Sequence, residues 1–387
     1  MKKNIAILGS TGSIGLCLLD IIKADIENFQ ITLLTANKNY KLLLKQTKMF
    51  NVKNVIILNK DSLDKFKKEN KNNNIKIYNN FEHLNKIFKK KNDFVMSAIS
   101  GLDGLGPTLK SIPLTRKILI ANKESLICGW NLINQSLIKN KTELIPIDSE
   151  HFSIWSLMDR KFASNIDTIY ITASGGPFYN LPLKKFNLIK PIDALKHPKW
   201  NMGKKISIDS ATLMNKVFEV IEAKNIFGTS YKRINILIHP ESYLHAIVMF
   251  KNGLTKLLIH DTSMKFPIFN SLYSEKNIKI NYEKLNLNKI NNLGLTLPDK
   301  NRYPSIKILK YLPQKFSLFE TIIVSANDEL VELFLNNKIK FNEISKILLK
   351  IAKSNKYVKY KHITPNKIED IIKLSNLVRL KIRSLSV

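Results

Sequence analysis

Seven residues near the start of the chain, GSTGSIG at positions 9–15, restrict the fold more than any other stretch. They follow an apolar, strand-like run, NIAIL (Asn4–Leu8), and open a segment, Ser13–Ala24, with helical spacing. The pattern G-x-x-G-x-x-G is a relative of the dinucleotide fingerprint. Glycines there permit a tight turn and a close backbone approach to a pyrophosphate, while free N–H groups at the helix start face the anion. Thr11 and Ser13 add hydroxyl donors beside Gly12 and Ile14. A glycine-rich turn without a ligand is the competing reading; the strand before it and the helix after it favour a phosphate loop.

The strand–helix alternation continues to about Ile147. FQITLLTA, NVIIL, FVMSAIS, KILIAN and LIPID are further strand-like runs. Such alternation predicts an α/β domain with a parallel, Rossmann-like sheet over residues 1–148, with functional loops at the carboxyl ends of its strands. The second strand runs into LTANKN, which lacks the acid that would hold a ribose 2′-hydroxyl and carries Lys38 instead. A lysine there attracts a 2′-phosphate, which favours NADPH over NADH, although a plain surface lysine would look the same. In ILIANKES, Asn122 and Glu124 are placed to flank the nicotinamide ribose, with Lys123 aimed at substrate; a helix N-cap with solvated charges is the alternative. Residues 149–274 mix helix-like and strand-like runs and predict an α+β second domain. It includes a Gly/Pro/Trp-rich region between Ser174 and Gly203. Residues 275–300 read as a linker, and 301–387, Leu/Ile-rich at helical spacing, as a small all-α C-terminal domain.

The formal charge of +31 from 62 Lys+Arg against 31 Asp+Glu raises the possibility of a nucleic-acid binder. The lysines are dispersed, however, and often sit beside Asn and Ile. KFKKENKNNNIKIYNN (Lys65–Asn80) reads as solvated surface, and no stacking pattern of aromatics among basic residues accompanies it. Neither nucleic acid nor membrane is an expected partner, because no run reaches the roughly 18 apolar residues of a membrane span. Glycines at 9, 12 and 15 and Asp20 interrupt the apolar start of the chain, against a signal peptide. Cys17 and Cys128 alone give no disulfide framework or cysteine-based zinc site. A bacterial, cytoplasmic setting fits.

IPIDSEHFSIW (Ile145–Trp155) ends an apolar run in two acids, Asp148 and Glu150. Taken as extended, positions i and i+2 face the same side, and two close carboxylates repel unless a positive group lies between them. A lysine would serve, but an oxygen-ligated Mg²⁺ or Mn²⁺ suits the pair better. SIDSATLMNKVFEVIEAKNIFG, read as one helix ending near Gly228, sets Asn215 and Glu219 on one face with Lys216 beside them. Ser210, Asn215 and Lys216 suit a phosphate monoester, and Glu219 suits the cation. Around Ser174 the sequence is A-S-G-G rather than a nucleophile elbow, which makes an anion-binding loop the better reading. HPKWNMG (His197–Gly203) has the polar tip and apolar cover of a lid.

GSTGSIG, ANKES, IDSEH, SGGPF, HPKWNMGKKISIDSATLMNK, HPESYLHAIV, RYPSIKI and SANDELVELFL together resemble the 1-deoxy-D-xylulose 5-phosphate reductoisomerase family over nearly the whole chain. The resemblance implies a three-domain homodimer that uses NADPH and a divalent cation (Mg²⁺, Mn²⁺ or Co²⁺) on a small phosphosugar, with residues 149–274 as its catalytic and dimerisation domain and about 177–203 as the flap that closes over the site. It implies metal ligation by Asp148, Glu150 and Glu219, with Lys123 and His197 also catalytic. Substrate contacts would come from Lys123, Ser149, Glu150, Ser174, His197, Ser210, Asn215, Lys216 and Glu219. Cofactor contacts would come from Thr11, Gly12, Ser13, Ile14, Asn37, Lys38, Asn39, Asn122, Glu124 and Gly203. Two places depart from the family. Asn37 replaces a glycine, tolerable if the turn needs a positive φ because Asn accepts one better than most residues. HDTSMKFPI (His260–Ile268) replaces a more acidic form near the expected dimer packing. The implied reaction rearranges and reduces 1-deoxy-D-xylulose 5-phosphate to 2-C-methyl-D-erythritol 4-phosphate in non-mevalonate isoprenoid synthesis. Another NADP-dependent aldehyde or semialdehyde reductase would share the first domain but has no use for three converging carboxylates.

Overall fold

The computed structural model describes residues 2–158, 165–200, 202–273, 280 and 286–384. Residues 275–279 and 281–285 of the expected linker, Ser274 at the end of the expected second domain, and Asn201 of the expected flap lie outside the described residues. By its contacts the chain forms two compact units. The first comprises Met1–Ser125, Leu132–Asp148 and Met264–Lys279; the second comprises Leu126–Asn131, Ser149–Ser263 and Ile280–Val387.

The first unit is built on a parallel sheet of β1 (Lys3–Leu8), β2 (Phe29–Ala36), β3 (Asn54–Ile57), β4 (Lys76–Tyr78), β5 (Asn92–Ser97), β6 (Thr115–Ile120) and β7 (Glu143–Pro146). The strand order is β4-β3-β2-β1-β5-β6-β7. It reverses direction between β1 and β5, which opens the crevice where doubly wound sheets take ligands. The central strands are buried on both faces, so they read as apolar runs rather than alternating ones: Ile5 to Leu8 are all fully buried. Helix α1 (Ser13–Ala24) follows β1 with the bounds its spacing predicts. One strand corrects the sequence reading: Lys76–Tyr78, counted as solvated surface, pairs with β3 as the edge strand. Only three residues long and set in a stretch rich in lysine and asparagine, it has too little apolar content to stand out, and its charge suits an exposed edge.

Residues 264–273, counted with the second domain in the sequence, belong to the first unit by their contacts. Their helix, Lys265–Tyr273, packs against α1. The Tyr273 hydroxyl donates to Asp25 at 2.5 Å, and its ring meets Phe29 edge-on.

The second unit carries a mixed sheet of β8 (Ile166–Ala173), β9 (Ile234–Ile238), β10 (Leu244–Phe250) and β11 (Thr255–Ile259) in the order β11-β10-β8-β9. β8 and β9 are parallel, and the other pairs antiparallel. Ile169, Ile171, Ile236, Ala246 and Val248 of the sheet pack with Leu213 and Val220 into one core. Here α2 (Ser149–Leu157) begins directly after Asp148, and α3 (Lys204–Ala211) and α4 (Met214–Phe227) follow β8. The segment read as a single helix is thus two, broken at Leu213, whose φ of 60° places it in the left-handed region. Gly228 caps α4 in the same conformation, as its place at the end of the run predicts. The C-terminal region is helical: α5 (Phe319–Leu335), α6 (Phe341–Lys353) and α7 (Ile368–Arg383). Among the described residues, no helix is long and apolar enough to cross a membrane.

Candidate active site

In the first unit the glycine loop sits at the carboxyl end of β1. Gly9 has φ +87°, and a Cβ there would come within 2.7 Å of the Ala98 carbonyl oxygen at the end of β5. A Cβ on Gly15 would come within 2.5 Å of the Gly9 carbonyl oxygen. Larger residues at either place would force strand and helix apart. Gly12 and Ser13 are exposed, and Thr11 and Ile14 partly so. Thr35 accepts from the Gly9 N–H at 2.8 Å, and the buried Gln46 exchanges hydrogen bonds with Ser10 at 2.8 and 2.9 Å. Gln46 escaped the sequence reading, because a glutamine in a lysine-rich helix carries no pattern of its own.

Lys38 is exposed beyond β2. Asn39 uses its side-chain oxygen to cap the helix Tyr40–Met49 through Leu42 N at 3.3 Å. Asn37 is exposed and does not adopt a positive φ, so the turn asks nothing of a glycine there. The allowance made for it from the sequence is unnecessary. Asn122 donates to the carbonyls of Ile99 and Gly101, the latter at 2.7 Å, and accepts from Ser125 N at 2.6 Å. Its amide therefore fastens the loop after β5 and caps the helix Lys123–Cys128, the alternative weighed for it. Glu124 is buried, and Lys123 lies 3.2 Å from Asp148 with little exposure.

In the second unit Glu150 stands in the first turn of α2. Its spacing from Asp148 therefore spans a strand end and a helix start, rather than the extended segment assumed from sequence. Asp148 closes the first unit and is peptide-bonded to Ser149. Asp148, Glu150 and Glu219 each offer a carboxylate oxygen within 4.8 Å of the others. Glu219, on α4, is 1% exposed. Asn215, one turn earlier, donates to one of its oxygens, and Lys216 reaches the other at 2.5 Å while also pairing with Glu150. Ser149 donates to Glu150 at 2.5 Å. Three carboxylates gathered with a lysine and an amide are a hard-oxygen donor set of the kind Mg²⁺ or Mn²⁺ takes. His151 was quoted from IDSEH without a role. It is buried, with Nε2 2.8 Å from the Glu219 carbonyl and Nδ1 3.8 Å from Glu222. It pins α4 at the residue that matters.

Ser174 and His197 meet at 3.0 Å between Oγ and Nε2. The backbone N–H groups of Lys199 and Trp200 both donate to His197 Nδ1, at 3.2 and 3.0 Å. A neutral ring therefore carries its proton on Nε2 and donates to Ser174 Oγ, which also accepts from Gly176 N at 3.0 Å. With both lone pairs taken, the Ser174 proton points outward as a donor. Burial, helped by the nearby Lys216 charge, lowers the His197 pKa to about 4. Trp200 leans edge-on over His245. Ser210 is on the last turn of α3, and Gly203 caps that helix at its start. Ser174, His197, Ser210, Asn215 and Lys216 thus supply donors and a cation fit for a phosphate.

The family model for 1-deoxy-D-xylulose 5-phosphate reductoisomerase matches residues 5–129, and two C-terminal-domain models of the same family match 144–227 and 260–381. A relative of that name from Pelagibacter ubique is 59% identical over 387 residues, covering 100% of both chains. The chain belongs to the 1-deoxy-D-xylulose 5-phosphate reductoisomerase family. A second relative, from Clostridium novyi, is 36% identical over 99% of both chains. Among solved structures, the Zymomonas mobilis reductoisomerase in complex with NADPH matches at 31% identity with a TM-score of 0.89, covering 100% of this chain and 99% of that one. A reductoisomerase in complex with NADPH, fosmidomycin and magnesium matches at 29% identity with a TM-score of 0.91, covering 99% and 98%. The family fold accounts for both sheets and for the helical C-terminal region.

Proposed function

We propose that the protein converts 1-deoxy-D-xylulose 5-phosphate to 2-C-methyl-D-erythritol 4-phosphate with NADPH and a divalent cation. The convergence of Asp148, Glu150 and Glu219 carries the reading, because a simple aldehyde reductase has no use for it. Gly9 and Gly15 let the backbone close into a tight turn whose exposed residues, Gly12 and Ser13, a pyrophosphate can approach, and Lys38 would meet the 2′-phosphate. When bound, the cation supplies Lewis-acid polarisation of the substrate's carbonyl and hydroxyl oxygens, and NADPH supplies the hydride.

The chain's residues do the rest. Ser174 donates to a phosphate oxygen, its own oxygen held by His197 and Gly176. Asn215 and Lys216 stand one turn from Glu219 on α4, so one helix can serve both the phosphate and the cation. Lys123 and Ser149 offer donors beside the acids. Trp200 and the rest of 177–203 close over the site and exclude water. Binding energy from the phosphate, remote from the reacting carbons, supports that closure. The enzyme works as a cytoplasmic homodimer.

The test is NADPH oxidation at 340 nm with 1-deoxy-D-xylulose 5-phosphate, with and without chelator. Turnover that survives complete metal removal, or that never appears with this substrate, overturns the reading.

A further inference from the structure

Two motifs play no part in the chemistry above, RYPSIKI (Arg302–Ile308) and the start of SANDELVELFL (Ser325–Leu335). Within the second unit both reach the back of the phosphate subsite. The Tyr303 hydroxyl is buried and donates to the Gly175 carbonyl at 2.8 Å. Arg302 donates from Nη1 to the carbonyls of Phe178 and Leu181, each at 2.7 Å. These bonds pin the backbone that follows Ser174.

From α5, the fully buried Asn327 donates to Asp209 on α3 at 2.7 Å. The next residue, Asp328, lies 3.0 Å from Lys205 and 2.5 Å from Arg379 of α7; Lys205 is also 3.1 Å from Asp209. Alternating charges therefore run from α7 through α5 onto α3, the helix that carries Ser210. The Ser174 loop and this helix abut: a Cβ on Gly176 would meet the Ser210 carbonyl oxygen and the Ala211 Cα at 3.0 Å each.

The turn joining Ser210 to Asn215 and Lys216 is strained. Leu213 has φ 60° and is buried, a conformation that persists for a branched side chain only where the surroundings over-determine it. Leu213 sits in one core with Tyr303, Val220 and residues of the second sheet.

We propose that Arg302, Tyr303, Asp209 and Asn327 are positioning residues that hold Ser174 and Ser210 at the spacing of a phosphate monoester, so that the C-terminal helical region sets affinity for the substrate's phosphate. The proposal rests on the phosphosugar reading of the same site. It identifies which parts of the chain tune that site without touching the ligand: they act through the Gly175–Leu181 carbonyls and through helix α3.

Three variants of the full-length protein test it. Tyr303→Phe removes one hydroxyl and keeps the ring. Asn327→Asp sets a second carboxylate against Asp209. The double variant Asp209→Asn with Asn327→Asp restores an amide–carboxylate pair in reverse.

Steady-state NADPH oxidation gives KM for the phosphosugar, KM for NADPH and kcat, and a thermal shift with inorganic phosphate reads the subsite without turnover. Tyr303→Phe is expected to raise the phosphosugar KM about tenfold, the equivalent of one hydrogen bond of about 1.4 kcal/mol. Its kcat should stay within about threefold and its NADPH KM should not change. Asn327→Asp should do the same or worse, and the double variant should recover the KM. Inorganic phosphate should raise the Tm of the unaltered protein, and by less in Tyr303→Phe.

A folded Tyr303→Phe protein with an unchanged phosphosugar KM overturns the proposal. So does a parallel rise in both KM values, which would mark general loosening, or the absence of any phosphate shift in the unaltered protein. If Asn327→Asp does not fold, Tyr303→Phe decides alone. Failure of the unaltered protein to turn over the phosphosugar, with the phosphate shift present, sinks the substrate assignment and leaves the positioning role standing.

Discussion

Glu219→Gln isolates the charge at the centre of the site. The amide keeps the shape of the side chain, and Lys216 keeps Glu150 as a partner, so the buried ammonium is not stranded and the fold should survive. The electrostatics change sharply. Asp148, Glu150 and Glu219 set three negative charges against the ammonium groups of Lys123 and Lys216; the variant leaves two against two, with no net charge to attract a divalent cation. Lewis-acid stabilisation is worth several kcal/mol. Losing about 3–4 kcal/mol of it lowers kcat by a factor of about 10²–10³, at about 1.4 kcal/mol per tenfold. The metal concentration for half-maximal activity should rise at least about tenfold, in line with disturbed metal shells. NADPH oxidation measured across a Mn²⁺ titration reads both quantities, and nicotinamide fluorescence reads NADPH affinity separately. A kcat within threefold of the unaltered protein at an unchanged metal requirement would refute the ligand role. So would loss of NADPH binding by a folded variant, because the glycine loop belongs to a different unit of the chain.

Lys38→Ala should weaken NADPH binding about tenfold, the worth of one exposed charge-assisted contact, and leave NADH binding nearly unchanged; equal losses for both cofactors, measured by fluorescence titration, would remove Lys38 from the 2′-phosphate. The buried Glu320 carboxyl is pushed up to about 7, chiefly by desolvation. Between about 4.5 and 7 the unfolded chain ionises while the folded one keeps its proton, so stability falls as pH rises through that window. Glu320→Gln should therefore stabilise by an amount that grows from pH 4.5 and levels off above 7, on the order of 3 kcal/mol; a pH-independent difference in urea midpoint would contradict this. His197 is displaced the other way, to about 4. Between about 4 and 6.5 only the unfolded chain takes its proton, so this group makes stability rise with pH across that range and adds nothing above it. Its ring should read as neutral, with the proton on Nε2, by nitrogen NMR at pH 5.5, and an imidazolium at that pH would count against the network.

Much of this was legible in the chain. The glycine loop announces its turn because flanking strand and helix periods switch within a few residues, and Gly228 marks a helix end by the conformation only glycine takes cheaply. The acids were visible by their types and spacing, although Glu150 arrives by way of a helix start and not along a strand. Leu213 was illegible: a leucine inside an apolar, helix-spaced run gives no sign of a left-handed break, because tertiary packing imposes it. Edge strand β4 hid for the opposite reason, its apolar content being too slight to register against lysine and asparagine. Asn122 illustrates a third limit. Residue type showed that it matters, but an amide serves a cap and a ribose equally well, and only its partners reveal which bonds are already taken.

The return of residues 264–273 to the first unit has a consequence for how the protein is made. The parallel sheet is complete by Asp148, yet the helix that covers α1 and anchors Asp25 is translated only after the entire second sheet. A nascent chain emerging from the ribosome therefore carries an unfinished first unit with the flank of α1 uncovered. A gene fragment stopped at codon 148 should yield insoluble product unless the Lys265–Tyr273 segment is grafted back.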